Sequence, residues 1–248
     1  MEFLLKFGKK EHLEQLKNGI VHFSPIELFQ EDVTTFRGDK MEGKEYLNLS
    51  KPFVVNGVDI SAYIEKAVIS SIPDCPVRSF SASLLSHKNC HMVSEDTYAL
   101  NDNFIAEMSQ FGDHALLFNF SDFVNALVKN LEAAGCGYGY HPIKYIDKRN
   151  HGLIREYYDK IDEDSKSMAH LFVKDTANSY PLQNEWRFVF FDYNNYFHLG
   201  EGDGKNLCTE FSTQMPVFTT DELCTLRCSG DCLFGKMLID LTQQATIS

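Results

Sequence analysis

The run Glu185-Trp186-Arg187-Phe188-Val189-Phe190-Phe191 constrains the fold most. Its aromatic and β-branched residues read as a core strand, and its first residue is a carboxylate. If the strand starts near Gln183, then Gln183, Glu185 and Arg187 project to one face while Trp186 and Phe188 project to the other. A polar face at a strand mouth results. A carboxylate there can stabilise positive charge developing on a sugar ring or act as a base, and Arg187 either holds a phosphate or pairs with Glu185. The plainer alternative is an edge-strand salt bridge.

Around this strand the pattern is mixed. Leu4 to Phe7 and Ile20 to Phe23 read as short strands, and Glu11 to Lys17 as a helix ending at Asn18-Gly19. Asp32 to Glu45 is polar and reads as a functional loop. Asn56-Gly57 between β-branched residues signals a hairpin. Arg78 to Leu84 alternates, so Ser79, Ser81 and Ser83 share one strand face. The spacing predicts a helix over 94–110, a strand over 115–120, a helix over 121–134 with Ser121 at its start and Gly135 after its end, and a strand over 138–146. Residues 149–174 are charged and read as one or two surface helices. A turn at 200–204 and a last strand over 237–241 complete an α+β chain, read as a single domain over 1–248.

The net charge of −12 excludes a surface that grips nucleic acid by charge alone. Lys144, Lys148, Arg149 and Arg155, opposed only by Asp147, form a local cluster suited to guiding a single strand. No apolar run approaches a membrane span, and the N-terminus lacks the pattern of a signal peptide. The seven scattered cysteines fit reduced thiols. A cytoplasmic, membrane-free protein is expected. Neither Cys224, Cys228 and Cys232 nor His87, Cys90 and His91 has the spacing of a common zinc site, so no metal is expected.

Two further patches carry candidate chemistry. The serine face lets a flat aromatic ligand approach, or is an ordinary solvated face. In Phe36-Arg37-Gly38-Asp39-Lys40-Met41-Glu42-Gly43, Arg37 is suited to clamping a diphosphate, or the segment is a solvated turn.

Lys6-Phe7, His12-Leu13, Leu16, Gly19, Val21-His22-Phe23-Ser24-Pro25, Arg37-Gly38-Asp39 and Glu42-Gly43 together resemble the opening of a bacterial family of ADP-ribosyltransferase-like proteins. Lys174, Tyr180, Glu185 and Arg187 resemble its closing Lys, Tyr and Glu-x-Arg strand. Gln183-Asn184-Glu185 also matches the Gln-x-Glu of the "Arg, Ser-Thr-Ser, Glu" transferases, with Ser79-Phe80-Ser81 or Ser81-Ala82-Ser83 standing for the serine strand. The chain departs from that pattern in having Lys6 in place of Arg, and Phe80 or Ala82 in place of the middle Thr.

The resemblance implies an ADP-ribosyltransferase-like split β-sandwich with peripheral helices that binds NAD, as substrate, in a cleft. It implies a toxin or phage-defence enzyme, with an RNA, DNA or protein acceptor and an antitoxin as a further partner. Glu185 is then the catalytic carboxylate, with Tyr180 stacking on a ring or orienting the acceptor. Arg37 anchors the diphosphate, Ser81 supports the serine strand, and Lys6, His22, Gln183 and Arg187 complete the NAD contacts. The alternatives are a non-catalytic ligand-sensing or interaction module on the same fold, and a metal-dependent nuclease using Asp39, Glu42 and Glu185.

Overall fold

The chain opens with β1 (Phe3–Gly8), α1 (Lys10–Lys17) and β2 (Ile20–Pro25), and Asn18-Gly19 alone turns the helix into the second strand. Gly19 has φ +85°, and a Cβ there would lie 2.5 Å from the Thr209 carbonyl oxygen and 2.6 Å from that of Phe211. Only glycine fits that corner. The structure, a computed structural model, describes residues 2–31, 44–46, 54–59, 68–70, 75–161, 168–176, 180–191 and 205–229.

After α2 (Ile26–Glu31) come β3 (Lys44–Tyr46), the hairpin of β4 (Val54–Val55) and β5 (Val58–Asp59), β6 (Val68–Ser70) and the long β7 (Val77–Leu84). The hairpin turns at Asn56 and Gly57, with φ of +50° and +82°, as the twist of a two-residue turn requires. The helix expected over 94–110 forms only in its second half, which ends in a 3-10 turn over Ser109–Phe111. β8 (Cys90–Ser94) and β9 (Thr97–Leu100) form a hairpin at Glu95-Asp96, where Asp96 adopts φ +54°, and α3 spans only Asp102–Met108. The apolar residues at helical spacing, Phe104, Ile105 and Met108, all lie in that shorter segment.

β10 (His114–Asn119) leads directly into α4 (Phe120–Ala133). Its cap is Asn119, whose side chain accepts the Asp122 amide at 3.0 Å, so Ser121 lies inside the first turn. The strand expected over 138–146 is two, β11 (Gly137–Pro142) and β12 (Lys144–Ile146), broken at Ile143. Within 149–174, α5 (His151–Asp159) is the expected surface helix, but Val173–Asp175 forms β13, a buried strand paired in parallel with β12. The remaining elements are β14 (Glu185–Phe191), β15 (Lys205–Cys208), β16 (Val217–Thr219), α6 (Thr220–Thr225) and β17 (Arg227–Ser229). Of the loop expected over 32–45, Lys44 and Glu45 belong instead to β3, paired with β6, while 32–43, the turn at 200–204 and the strand at 237–241 lie outside the described residues. The fold is a mixture of helices and mostly antiparallel sheets. Among the described residues no helix is long and apolar enough to cross a membrane.

Eight strands form the main sheet, along the path β11-β14-β7-β1-β10-β16, with β2 and β15 branching from β7. β14 is therefore an interior strand, and all seven of its residues are buried. β7 organises the sheet. One edge pairs with β14 from Val77↔Phe191 to Ser83↔Glu185. The other edge is shared: β2 takes Arg78 and Ser79, whereas β1 takes Ser83 and Leu84. Among the described residues no strand pairs with this edge at Phe80, Ser81 and Ala82, and the sheet forks there.

The two faces are covered differently. Phe80, Ala82, Trp186, Phe188 and Phe190 pack with Phe123, Val124, Leu127 and Leu131 of α4. On the opposite face, one apolar cluster gathers Leu5, Phe7 and Leu117 with α3 and α6. Another gathers Val77, Val189 and Phe191 with Leu171 and Phe172. Between these clusters β7 and β14 present Ser79, Ser81, Ser83, Glu185 and Arg187, so a polar interval is walled by apolar packing on both sides.

Gly19→Ala and Gly135→Ala separate backbone strain from collision. Both glycines have positive φ, +85° and +68°, but a Cβ at Gly135 meets nothing within 4 Å. Gly135→Ala is expected to cost about 1 kcal/mol. Gly19→Ala should cost clearly more in urea unfolding, because two carbonyls must also move; equal losses would contradict the packing at Thr209 and Phe211.

Candidate active site

The fork opens into a cavity of about 470 Å³. Its walls come from β1 and the start of α1, from β2, from the serine face of β7, and from Met108, Phe111, Lys174, Gln183 and Glu185. Ser83 donates to Met108 Sδ at 3.9 Å, tying the serine strand to the end of α3.

Glu185 is the most heavily bonded group in the cavity. Its Oε1 accepts from Ser81 Oγ at 2.6 Å and from Arg187 through Nη2 at 2.8 Å and Nε at 3.1 Å. Its Oε2 pairs with Lys174 Nζ at 2.6 Å. Glu185 is 6% exposed, and Arg187 is fully buried and also donates to the Leu171 carbonyl at 2.7 Å. Burial alone would raise the Glu185 pKa. The Arg187 and Lys174 charges, with the Lys174 and Ser81 hydrogen bonds, outweigh burial and hold the carboxyl well below the usual carboxylate range. A carboxylate has about four acceptor sites, so Oε2 retains one for a ligand.

The turn before β14 sets this carboxylate's direction. Asn184 adopts φ +43° and its side-chain amide donates to the Leu84 carbonyl at 2.5 Å and to Ser86 Oγ at 3.0 Å. The Glu185 amide donates to the Tyr145 hydroxyl at 3.1 Å. Burial, then the Glu185 charge, pushes the Tyr145 phenol well above its ordinary value.

The cavity brings together Lys6, His22, Ser81, Gln183 and Glu185. Lys6 reaches across the fork, donating to the Ser81 carbonyl at 2.5 Å and lying 4.8 Å from the centre of the Phe80 ring. His22 is exposed on β2. Gln183 is not on the strand as expected, because the chain makes a 3-10 turn over Tyr180–Gln183 and β14 begins at Glu185; its buried side chain still lines the cavity. Arg187 does not line the cavity. Of its two readings, phosphate contact or pairing with Glu185, the structure contains the pairing, and it is an interior pair instead of an edge-strand one. Arg37 and the backbone of its loop, with Asp39 and Glu42, lie outside the described residues, as does the side chain of Tyr180.

The basic cluster at 144–155 is not an open stripe. Lys148 is 2% exposed, Arg149 is held by Asp147 at 3.0 Å, and Arg155 lies 3.7 Å from Asp159. Among the described residues no group of three or more His, Cys, Asp or Glu side chains converges as a metal site.

Sequence reasoning missed Lys9, His12 and Ser24 as cavity residues and Lys174 as the Glu185 partner. Lys9 and His12 precede Leu13 and Leu16 at helical spacing, so the same periodicity that marks the buried leucines puts them on the cavity side. Among the described residues the lining thus carries Lys6, Lys9 and Lys174 and one carboxylate, Glu185, in a protein whose net charge is −12. The site suits an anionic ligand.

Glu185→Gln keeps the side-chain shape but removes the negative charge with which buried Arg187 and Lys174 both pair. It is expected to be less stable than the parent by about 3–5 kcal/mol at neutral pH. Because the folded pKa is depressed, the Glu185 contribution is complete above the free value of 4.5 and is lost as pH falls below it. Urea titrations followed by the fluorescence of Trp186, the one tryptophan, should show the gap between parent and variant narrowing below pH 4.5. A gap constant with pH would contradict the ion-pair geometry. The chain matches no family model, no curated protein and no solved structure, so the chemistry of this cavity is read from its own residues.

Proposed function

We propose that the chain is an NAD-dependent ADP-ribosyltransferase acting on a nucleic acid or protein, in the manner of a toxin or phage-defence effector. The observation that carries this reading is the 2.6 Å contact from Ser81 to Glu185 inside the fork cavity. It supports the serine strand of the resemblance through Ser81, which both candidate triplets share, with Lys6 in the place of its arginine.

The chemistry fits the charges. NAD is a dianionic diphosphate with a locally cationic nicotinamide end, and the cavity offers three lysines beside one ionised carboxylate. When the bond between the ribose C1′ and the nicotinamide nitrogen breaks, its electron pair leaves with neutral nicotinamide and positive charge develops on the sugar. Glu185 beside that carbon stabilises the charge, and its free Oε2 acceptor site can hold a ribose hydroxyl. A carboxylate held at so low a pKa is a weak base. Its role is therefore electrostatic, and the proton lost by the acceptor passes to another group. The nuclease alternative is disfavoured because Glu185, Lys174 and Arg187 sum to a positive charge, which repels a divalent cation.

Labelled NAD offered with RNA, DNA and cell extract tests the reading. Label should pass to one of these fractions in the presence of EDTA. Ser81→Ala should lower kcat by roughly 10- to 100-fold, with a stability change of about 1 kcal/mol, since it removes one hydrogen bond that orients the carboxylate. Activity abolished by chelation and restored by Mg²⁺ would replace this reading with the metal enzyme. NAD binding without transfer or hydrolysis would replace it with a ligand-sensing module.

A further inference from the structure

The face that α1 turns to the cavity begins with Lys9 and His12 and continues with Leu13 and Leu16. The leucines are buried in the core, whereas Lys9 and His12 are exposed. A cation at this end opposes the helix dipole, whose positive pole favours an acidic residue. No side chain caps α1 either. Lys9 holds the N-cap position with extended backbone, and the His12 and Leu13 amides return to its carbonyl at 3.1 Å each. The earlier amides, of Lys10 and Glu11, have no acceptor within the helix. Glu11, the acidic residue of the first turn, is not part of the cavity wall. The Lys9 cation, the His12 imidazole and open amides thus gather at one corner, and their complement is an anion.

The cavity floor supplies an independent sign of a ligand. Ser79 is 2% exposed and lines the cavity beside His22 and Ser24, yet its Oγ has no hydrogen-bond partner among the described residues. Ser81 and Ser83, on the same face, are both bonded. An unmade bond on a buried hydroxyl is costly, which leaves Ser79 poised for a polar group brought by a ligand. Strand geometry sets it about 7 Å from Ser81, the length of a ring with its substituent.

We propose that the cavity binds a phosphorylated ligand in one orientation, with the phosphate at the open start of α1 against Lys9 and His12 and a hydroxyl or amide against Ser79 on the floor. This deepens the transferase reading and rests on it only for the choice of ADP-ribose as a probe. The phosphate corner then belongs to α1, independently of Arg37.

Calorimetric titration with ADP-ribose, pyrophosphate and adenosine tests the proposal without requiring transfer. ADP-ribose should bind about tenfold or more tighter than adenosine. The Lys9→Ala, His12→Ala double variant should bind ADP-ribose and pyrophosphate about 10- to 100-fold more weakly, the loss expected for charge-assisted contacts. Both residues are exposed and Lys9 opposes the helix dipole, so the melting temperature should not fall. Ser79→Ala should weaken ADP-ribose by about fivefold and leave pyrophosphate unchanged. Its ligand-free melting temperature should be equal or higher, because no bond is lost. Adenosine binding as tightly as ADP-ribose, parental affinity in the double variant, or a fall in the melting temperature of Ser79→Ala would each overturn the proposal. Transfer from NAD by a protein whose double variant binds normally would refute this orientation alone, and the predicted affinities without transfer would refute only the transferase reading.

Discussion

A carboxylate on an otherwise aromatic interior strand has to be neutralised, and the way this chain does so determines the neighbourhood of its cavity. Glu185 is balanced by Arg187 two residues along the same strand and by Lys174 from β13. Lys174 comes from a segment that would otherwise be solvated with the charged stretch before it. β13 is paired with β12 and joined to the main sheet by Lys174, and Arg187 ties the preceding turn down through the Leu171 carbonyl. Removing Glu185 takes the shared partner from both cations, whereas removing Lys174 leaves the Glu185–Arg187 pair in place, so the carboxylate is the member on which the other two depend. The same network that holds the fold keeps the carboxylate ionised, and structural and chemical roles coincide in one side chain.

The cavity beside it carries a charge opposite to that of the molecule. An acidic surface repels anions at long range, whereas Lys6, Lys9 and Lys174 attract them inside. Such an arrangement favours a small anion that enters the fork over a polyanion lying across the surface. Consistent with this, Arg149 and Arg155 outside the cavity are spent on neighbouring aspartates.

Much of the local structure was legible. The alternation in 78–84 and 185–191 has period two, so the serine face and the burial of Trp186 and Phe188 follow from spacing alone. Asn56-Gly57 and Asn18-Gly19 are turns because of backbone chemistry that any reader of residues can use. What stayed hidden depends on long-range pairing. Val173-Lys174-Asp175 looks like the end of a charged helix, and its pairing with β12 together with the Lys174–Glu185 contact makes it a buried strand. Thr97 to Leu100 has no strong preference, and its place between β8 and β17 comes from those partners. Gln183 fell out of the strand because Asn184 adopts a left-handed backbone held by Leu84 and Ser86. The fork was invisible because nothing in β7 announces that two strands will divide one of its edges.

That division has a consequence for how such a chain can diversify. Most binding sites are hollowed out by trimming side chains, and a single larger residue can close them. Here the opening is a gap in a hydrogen-bond ladder, kept apart by the divergence of β1 and β2 and by the helix that links them. Substitutions at Ser79, Ser81 or His22 would reshape the walls and leave the gap itself in place. A descendant of this chain could therefore exchange one ligand for another through a few side chains on β2 and β7, without paying again for the space.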